Sequence, residues 1–364
     1  MRLVPTLFFA AMTGCVTDYE LNAEPVNVDP GEVTDCGFTQ VESTDFYRYD
    51  CNPVFTTTDE SWAGNIDSTA FLATEVLGHP FYQMWYTGVP AGLDAYGDFG
   101  LGYGVSANGT NWEVHPNNPL LEEPAPNQWD ADAMDAMQVV WDPNDLRYVM
   151  IYQGYNLNRS DWGLGVATSD DGLVWTRSAN NPVLDLTAPT GNVMGYCWPL
   201  GLSLGSVVGY TGYVAGYDQM DGACEVYTID AGSVDTWTPN QQVVLPAGQP
   251  FDWDSQGFLS TAITALEGQN YMFFSGFGGW ENHGTYRSTK NQFFSFAKQS
   301  ATGGWEKHGE IIPLHLDPQG YIGFVAAQTV GDRIHLWVQD IYDGNYAVGY
   351  FLYDPNREAT EAAE

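Results

Sequence analysis

The chain is poor in basic residues. Lys and Arg together number 11 against 46 Asp and Glu, which gives a formal net charge of −35 over 364 residues. A nucleic-acid binder needs a cationic footprint to displace phosphate counterions, and so few scattered cations cannot build one. No Arg/Lys/His cluster stands ready to hold phosphate either, which argues against phosphorolysis. Charged residues are only 16% of the chain while aromatics are 15%. A disordered acidic tail has few aromatics, so a packed core is expected. CxxC and HxxxH spacings are absent, which weakens any case for metal ligation by Cys and His. Beyond the first residues, no run is long and apolar enough to cross a membrane. Against these scarcities stand 40 Gly, 22 Tyr and 13 Trp. That balance favours strands and turns over helices.

The N-terminus carries one basic residue, Arg2, and then a short apolar run ending in small residues. This is the pattern of a secretory signal. Met12-Thr13-Gly14-Cys15 resembles the lipobox of bacterial lipoproteins, which implies cleavage before Cys15 and a lipid on its thiol. Residues 1–14 are thus read as a signal peptide, 15–35 as a flexible acidic tether and 356–364 as a polar tail. The expected location is the bacterial cell envelope or surface, with membrane contact only through the anchor. Setting Cys15 aside leaves Cys36, Cys51, Cys197 and Cys224. An even number in an exported chain suggests two disulfides, and proximity favours Cys36–Cys51 and Cys197–Cys224 among the three connectivities.

A repeat organises residues 36–355. Asn52-Pro53-Val54-Phe55 recurs as Asn118-Pro119-Leu120-Leu121 and Asn181-Pro182-Val183-Leu184, with degenerate copies at Gln242 and Glu310. The starts at 52, 118, 181, 242 and 310 are spaced 66, 63, 61 and 68 residues apart. An aromatic precedes each copy: Phe46, Trp112, Trp175, Trp237 and Trp305. Two of these Trp follow the turns Ser106-Ala107-Asn108-Gly109 and Ser169-Asp170-Asp171-Gly172, which suit tight hairpins. Each period holds about four strand-like runs, as a propeller blade does. The reading is all-β: a five-bladed β-propeller of four-stranded antiparallel blades. The blades are expected at about 62–121, 129–184, 192–246, 252–314 and 319–353. The last period is one strand short, and a closing strand at 44–55 is expected to complete the ring.

The runs Tyr82-Gln83-Met84-Trp85-Tyr86 and Tyr148-Val149-Met150-Ile151-Tyr152, the Gly-Leu-Gly segments at 100 and 163, the Asn/Asp-Gly turns and the Asn-Pro markers carry a resemblance. Together they look like the five-bladed propeller glycosidases, a superfamily of arabinanases, β-xylosidases, invertases, levansucrases and mannoside phosphorylases. The resemblance implies an active site at one end of the channel, with an Asp from the first blade, an Asp from the second and a Glu from the third. Glycoside cleavage needs two carboxylates, one to protonate the leaving oxygen and one to attack or to activate water.

Counting from the markers gives Asp67 in the first blade and Asp132 or Asp135 in the second. The third blade reads Gly191-Asn192-Val193-Met194-Gly195-Tyr196-Cys197-Trp198 at the matching place and contains no carboxylate. Glu225, the one Glu of that period, falls on a later strand, while Glu281 lies in a loop of the fourth. Asp130 and Asp254 repeat after Trp129 and Trp253, which suits blade architecture, although Asp254 also stays among the substrate-binding candidates. Trp62, Trp129, Trp198, Trp253 and Trp280 are candidates to stack on sugar rings. No cofactor is required. A structural calcium is left open, with His315 or His335 nearby, because Asp is plentiful and a hard cation takes oxygen ligands.

Two readings follow. One is an envelope-anchored, monomeric glycoside hydrolase-like propeller acting on an oligo- or polysaccharide. The other is a propeller without turnover that binds a glycan or a protein, favoured by the missing third-blade acid.

Overall fold

In a computed structural model of the chain, the described residues run from 36 to 356. They exclude 58–61, 77–78, 90–98, 122–126, 157–160, 190–192, 194, 205–208, 218–221, 250–251, 279–291, 310, 315–321 and 343. The signal, the tether, Cys15, Trp280, Glu281 and His315 therefore lie outside the described residues.

Every regular element described is a strand. Two short N-terminal strands, β1 (Phe38–Gln40) and β2 (Phe46–Tyr49), come first. The first blade is β3 (Asn65–Val76), β4 (His79–Val89), β5 (Gly100–Ser106) and β6 (Glu113–Val114). The second is β7 (Ala133–Asp142), β8 (Arg147–Asn156), β9 (Asp161–Ser169) and β10 (Thr176–Arg177), with β11 (Leu184–Asp185) also on β9. The third is β12 (Gly195–Leu204), β13 (Tyr210–Tyr217), β14 (Glu225–Ser233) and β15 (Thr236–Leu245). The fourth is β16 (Gly257–Leu266), β17 (Gln269–Phe277), β18 (Gln292–Gln299) and β19 (Trp305–Lys307). The fifth begins with β20 (Val325–Val330), β21 (Arg333–Tyr342) and β22 (Asn345–Tyr353), and β2 then β1 extend the same sheet. The leading strands β3, β7, β12, β16 and β20 pack on one another in that order, and β20 packs on β3. The sheets therefore radiate from a shared axis as a five-bladed β-propeller, with the leading strands innermost.

The repeat markers have a physical task. Asn118 accepts the Tyr103 N–H through Oδ1 at 3.0 Å and donates Nδ2 to the Tyr103 carbonyl at 3.0 Å. Asn181 makes the same pair of bonds with Val166, and Asn52 makes it with Tyr350. Each amide thus bonds both backbone groups of one third-strand residue; at Tyr103 and Val166 the carbonyl also accepts the N–H of His115 or Ser178, so the N–H is the group that depends on the amide. All three Asn-Pro peptide bonds are cis. Asn52 acts on β22, and Phe46 pairs with Tyr353, so residues from the start of the chain occupy the outer positions of the fifth sheet.

The turn glycines are equally specific. Gly109 and Gly172 both have φ +78°, and a Cβ there would meet the rings of Trp337 and Trp85 at 3.0 Å. The Gly109 carbonyl accepts the Trp337 indole N–H at 2.9 Å, and the Gly172 carbonyl accepts that of Trp85 at 2.8 Å. A tight turn in one blade is thereby fastened to the Trp of its neighbour. The cores between blades are built from aromatics. Phe46 lies edge-on to Phe273 and Phe294 of the fourth blade, and Phe71 stacks on Trp337 at 4.7 Å.

Candidate functional site

The innermost strands are not regular. On β3, Ile66 pairs with Gly88 and Thr69 with Tyr86, so Asp67 and Ser68 together face Thr87. On β7, Asp135 pairs with Gln153 and Gln138 with Ile151, so Ala136 and Met137 together face Tyr152. These are β-bulges, which bend a strand and re-aim its side chains. Ala136 has φ +47° and gives its N–H to Asp135 Oδ1. Asp67 sits in one bulge and Asp135 opens the other, on innermost strands that pack together.

The two carboxyls meet. A hydrogen bond joins Asp67 to Asp135, and the Asp67 carboxyl is held well above the usual carboxylate range. Burial is the main cause, followed by the charge of Asp135 and then the bond between them. The two carboxyls therefore titrate as a pair, and Asp67 holds its proton more readily than an ordinary carboxyl does. Asp132 stands three residues before Asp135 and gives its N–H to the Tyr155 carbonyl at 3.0 Å.

A column of second-strand polar residues, not foreseen from sequence, holds the inner strands in place. Gln339 on β21 donates Nε2 to the carbonyls of Ile66 at 2.9 Å and Asp67 at 2.6 Å, while its Oε1 accepts the Phe324 N–H. Thr87 donates to the Met134 carbonyl at 3.1 Å, next to Asp135, and shares a 3.0 Å hydrogen bond with Ser68. Gln153 donates to the Cys197 carbonyl and Ser275 to the Gly323 carbonyl. Each of these residues reaches the next blade, three at its innermost strand and Ser275 at the segment leading into it. The signal was present as Tyr86-Thr87-Gly88, Tyr152-Gln153-Gly154 and Phe274-Ser275-Gly276, an aromatic-polar-glycine repeat.

The third blade differs at the decisive place. Tyr196 pairs with Gly216 and Pro199 with Val214, so Cys197 and Trp198 together face Ala215. They hold the position that Asp67 and Ser68 hold in the first blade. Cys197 is joined to Cys224 by a disulfide, and Cys36 and Cys51 are each disulfide-bonded as well. Glu225 Oε1 accepts the Ala247 N–H at 3.2 Å, on a strand away from the axis.

Three of the Trp residues read as sugar platforms stack on an aromatic of their own blade. Trp62 stacks on Tyr86 at 5.7 Å, Trp129 on Tyr152 at 5.9 Å and Trp253 on Phe274 at 6.0 Å. Glycines on neighbouring strands make room for these rings, Gly88 and Gly100 beside Trp62 and Gly154 and Gly163 beside Trp129. Trp198 lies 6.3 Å from Phe277. Asp254 is buried and paired with Lys307 at 2.6 Å, and Asp130 is buried and paired with Arg177 at 3.2 Å. Both cations come from outer strands, so each pair ties the outside of a blade to the entry of its innermost strand.

Among the described residues, no group of three or more His, Cys, Asp or Glu comes together to hold a metal ion. The His335 ring nitrogen is 2.5 Å from the Tyr350 hydroxyl, and burial lowers its pKa to about 4, so it is neutral near pH 7. It lies four residues from Gln339 along β21, about 13 Å away.

No family model and no curated protein matches the chain. Solved structures do. A Bombyx mori GH32 β-fructofuranosidase matches with a TM-score of 0.55 at 13% identity, covering 79% of this chain and 58% of the enzyme. A thermostable family-43 glycoside hydrolase matches with a TM-score of 0.58 at 15% identity, covering 79% and 88%. A structure from the GH130 family of mannoside phosphorylases, which contains glycoside hydrolases that target β-1,2-mannosidic linkages in Candida mannan, matches with a TM-score of 0.56 at 16% identity, covering 88% and 94%. At these identities the likeness is one of architecture: the chain has the five-bladed β-propeller fold found in GH32, GH43 and GH130 glycoside hydrolases.

Proposed function

We propose that the protein is a glycoside hydrolase-like propeller whose site is the Asp67–Asp135 end of the axis and whose ligand is a carbohydrate. The carrying observation is that two carboxyls meet, Asp67 hydrogen-bonded to Asp135 between adjacent innermost strands. Burial and the neighbouring charge make Asp67 hold its proton more readily than an ordinary carboxyl, so the pair sets a proton donor beside an acceptor. Asp67 gives its proton to the leaving glycosidic oxygen as its bond to the sugar carbon breaks, and Asp135 takes the proton of the water that bonds to that carbon, so the pair ends with the one proton it began with. A hydrogen-bonded pair is closer than the roughly 5–9.5 Å that separates acid and base across a scissile bond in glycosidases. The pair therefore acts from one side of the bond as a unit.

A second reading, binding without turnover, is favoured by one specific observation. At the third-blade position where the family resemblance calls for a Glu, Cys197 is locked in a disulfide. One experiment separates the two. The purified protein and its Asp67→Asn variant are screened against arabino-, xylo-, fructo- and manno-oligosaccharides, with reducing-sugar release and binding read together. Release that Asp67→Asn abolishes supports the enzyme. Binding without release supports the second reading, and neither binding nor release removes both.

We also read Cys15 as a lipid anchor at the cell envelope. Metabolic labelling with a radiolabelled fatty acid should mark the wild type and not Cys15→Ser, and equal labelling would overturn that assignment.

A further inference from the structure

Trp62, Trp129, Trp198 and Trp253 are half-buried beside aromatic neighbours, and one large aromatic at the same end of the propeller is more fully presented to solvent. Trp162 is 37% exposed, and among the described residues Tyr342 is the other exposed large aromatic. Trp162 is not loose. Its ring stacks on Tyr155 at 4.7 Å with 22° between the planes, and Tyr155 itself is buried. Phe99 of the first blade meets Tyr155 edge-on at 6.2 Å. The three rings thus run from the rim of the second blade into the join with the first. The Tyr155 carbonyl also accepts the Asp132 N–H, linking this rim to the strand that carries Asp135.

Register fixes the distance. Ala133, Tyr155 and Trp162 lie in one row across β7, β8 and β9, and Asp135 is two residues further along β7. With strands about 4.8 Å apart and a rise of about 3.3 Å per residue, Trp162 stands about 12 Å from Asp135, backbone to backbone. It lies on the side where the innermost strand begins. An oligosaccharide spans that gap and a monosaccharide does not. A rigid indole with one face stacked and the other open offers the flat apolar surface that the C–H face of a sugar ring covers.

We propose that Trp162, held by Tyr155, is the platform of an outlying sugar subsite, so that the ligand is an oligo- or polysaccharide chain extending over the rim of the second blade. This rests on the carbohydrate reading of the Asp67–Asp135 site and adds the class of ligand to it.

The test uses the full chain carrying Asp67→Asn, which prevents consumption of ligand, and a length series of the same four oligosaccharide types. Binding is followed by tryptophan fluorescence and calorimetry. Adding Trp162→Ala should weaken the longer members on the order of tenfold and leave the shortest unchanged. Trp162→Phe, which keeps a ring, should retain most of the affinity, and it guards against a folding defect in the Ala variant. If long chains bind the Trp162→Ala protein as tightly as its parent, the subsite is wrong while the carbohydrate reading stands. Equal weakening at every length would also overturn it, because a general disturbance and not an outlying contact would then be the cause. If the wild type binds no glycan of any length, the carbohydrate reading fails and the subsite fails with it.

Discussion

The first three strands of the second and third blades follow the same order at nearly the same lengths, yet the two blades are held together by different means. The second blade is fastened by polar contacts. Asp130 meets Arg177 and the Tyr152 hydroxyl, Asn181 satisfies Val166, and Gln153 reaches onward to the next blade. Among the described residues, the third blade shows no counterpart of these contacts. Ala215 stands where Thr87 stands in the first blade, β15 pairs along β14 for its length with bulges, and a disulfide ties the bulge of β12 to the residue before β14. The fold is indifferent to this exchange, because either device keeps the inner strand in place. The chemistry is not indifferent. A bulge bearing Asp67 can donate a proton, and one bearing a bridged Cys197 cannot.

The largest expected effect tests that contrast directly. Asp67→Asn and Asp135→Asn should each reduce glycan release by about 10²- to 10⁴-fold, the usual worth of a positioned acid or base. Glu225→Gln in the third blade should leave release unchanged. A comparable loss from Glu225→Gln would return the third blade to the reaction. Next in size, converting Cys197 and Cys224 to Ser should lower stability by about 3–4 kcal/mol, the chain-entropy value for a closed loop whose ends are 27 residues apart. Asn181→Ala in the second blade should cost about 1–2 kcal/mol, since the Val166 N–H loses its acceptor while the Val166 carbonyl keeps the Ser178 N–H. Denaturant unfolding measures both. A larger loss from Asn181→Ala would mean that the polar device, not the covalent one, carries more of its blade.

Acidity offers a finer measure. Burial and Asp135 make the folded chain hold the Asp67 proton more tightly than the unfolded chain does. The stability owed to that proton is complete below the ordinary carboxylate range and is lost as pH rises through the raised value of Asp67. Asp67→Asn, always neutral, should therefore match the wild type in acid and melt higher at neutral pH and above. Parallel melting curves across the whole range would show that the two carboxyls do not share a proton. Smallest is the effect of salt. With a net charge of −35, screening should raise the melting temperature of the wild type by a few degrees between low and moderate ionic strength. A flat response would mean that the acidic surface is already relieved by its spacing.

Much of the fold was legible because the repeated residues are themselves structural devices. Asn-Pro recurs because an amide is needed to satisfy a bare third strand, and Asn-Gly or Asp-Gly because the turn requires positive φ under a neighbouring Trp. Where an outer strand does that work, as β15 does, Asn is unnecessary and the marker fades to Gln242. The candidate acids were legible in position but not in relation. Counting placed Asp67 and left Asp132 and Asp135 open, and it took the bulge at Ala136 to bring Asp135 to its partner. Spacing shows that the Trp-Asp dyad recurs, and packing shows what it rests on: Trp129 stacks on Tyr152 and Trp253 on Phe274. Gln339 escaped notice because one polar residue in a strand looks like ordinary alternation.

The bonds between Asn52 and Tyr350 join residues 298 positions apart. Their consequence lies in time as much as in space. The segment that leaves the ribosome early has no sheet to join until the last strand has been synthesised. Until β22 is made, β2 has only β1 to pair with. A molecule permuted to start just after Asn52 and its marker, with residues 36–57 moved behind Asp354, would make those contacts local and should reach its native state sooner than the natural order does.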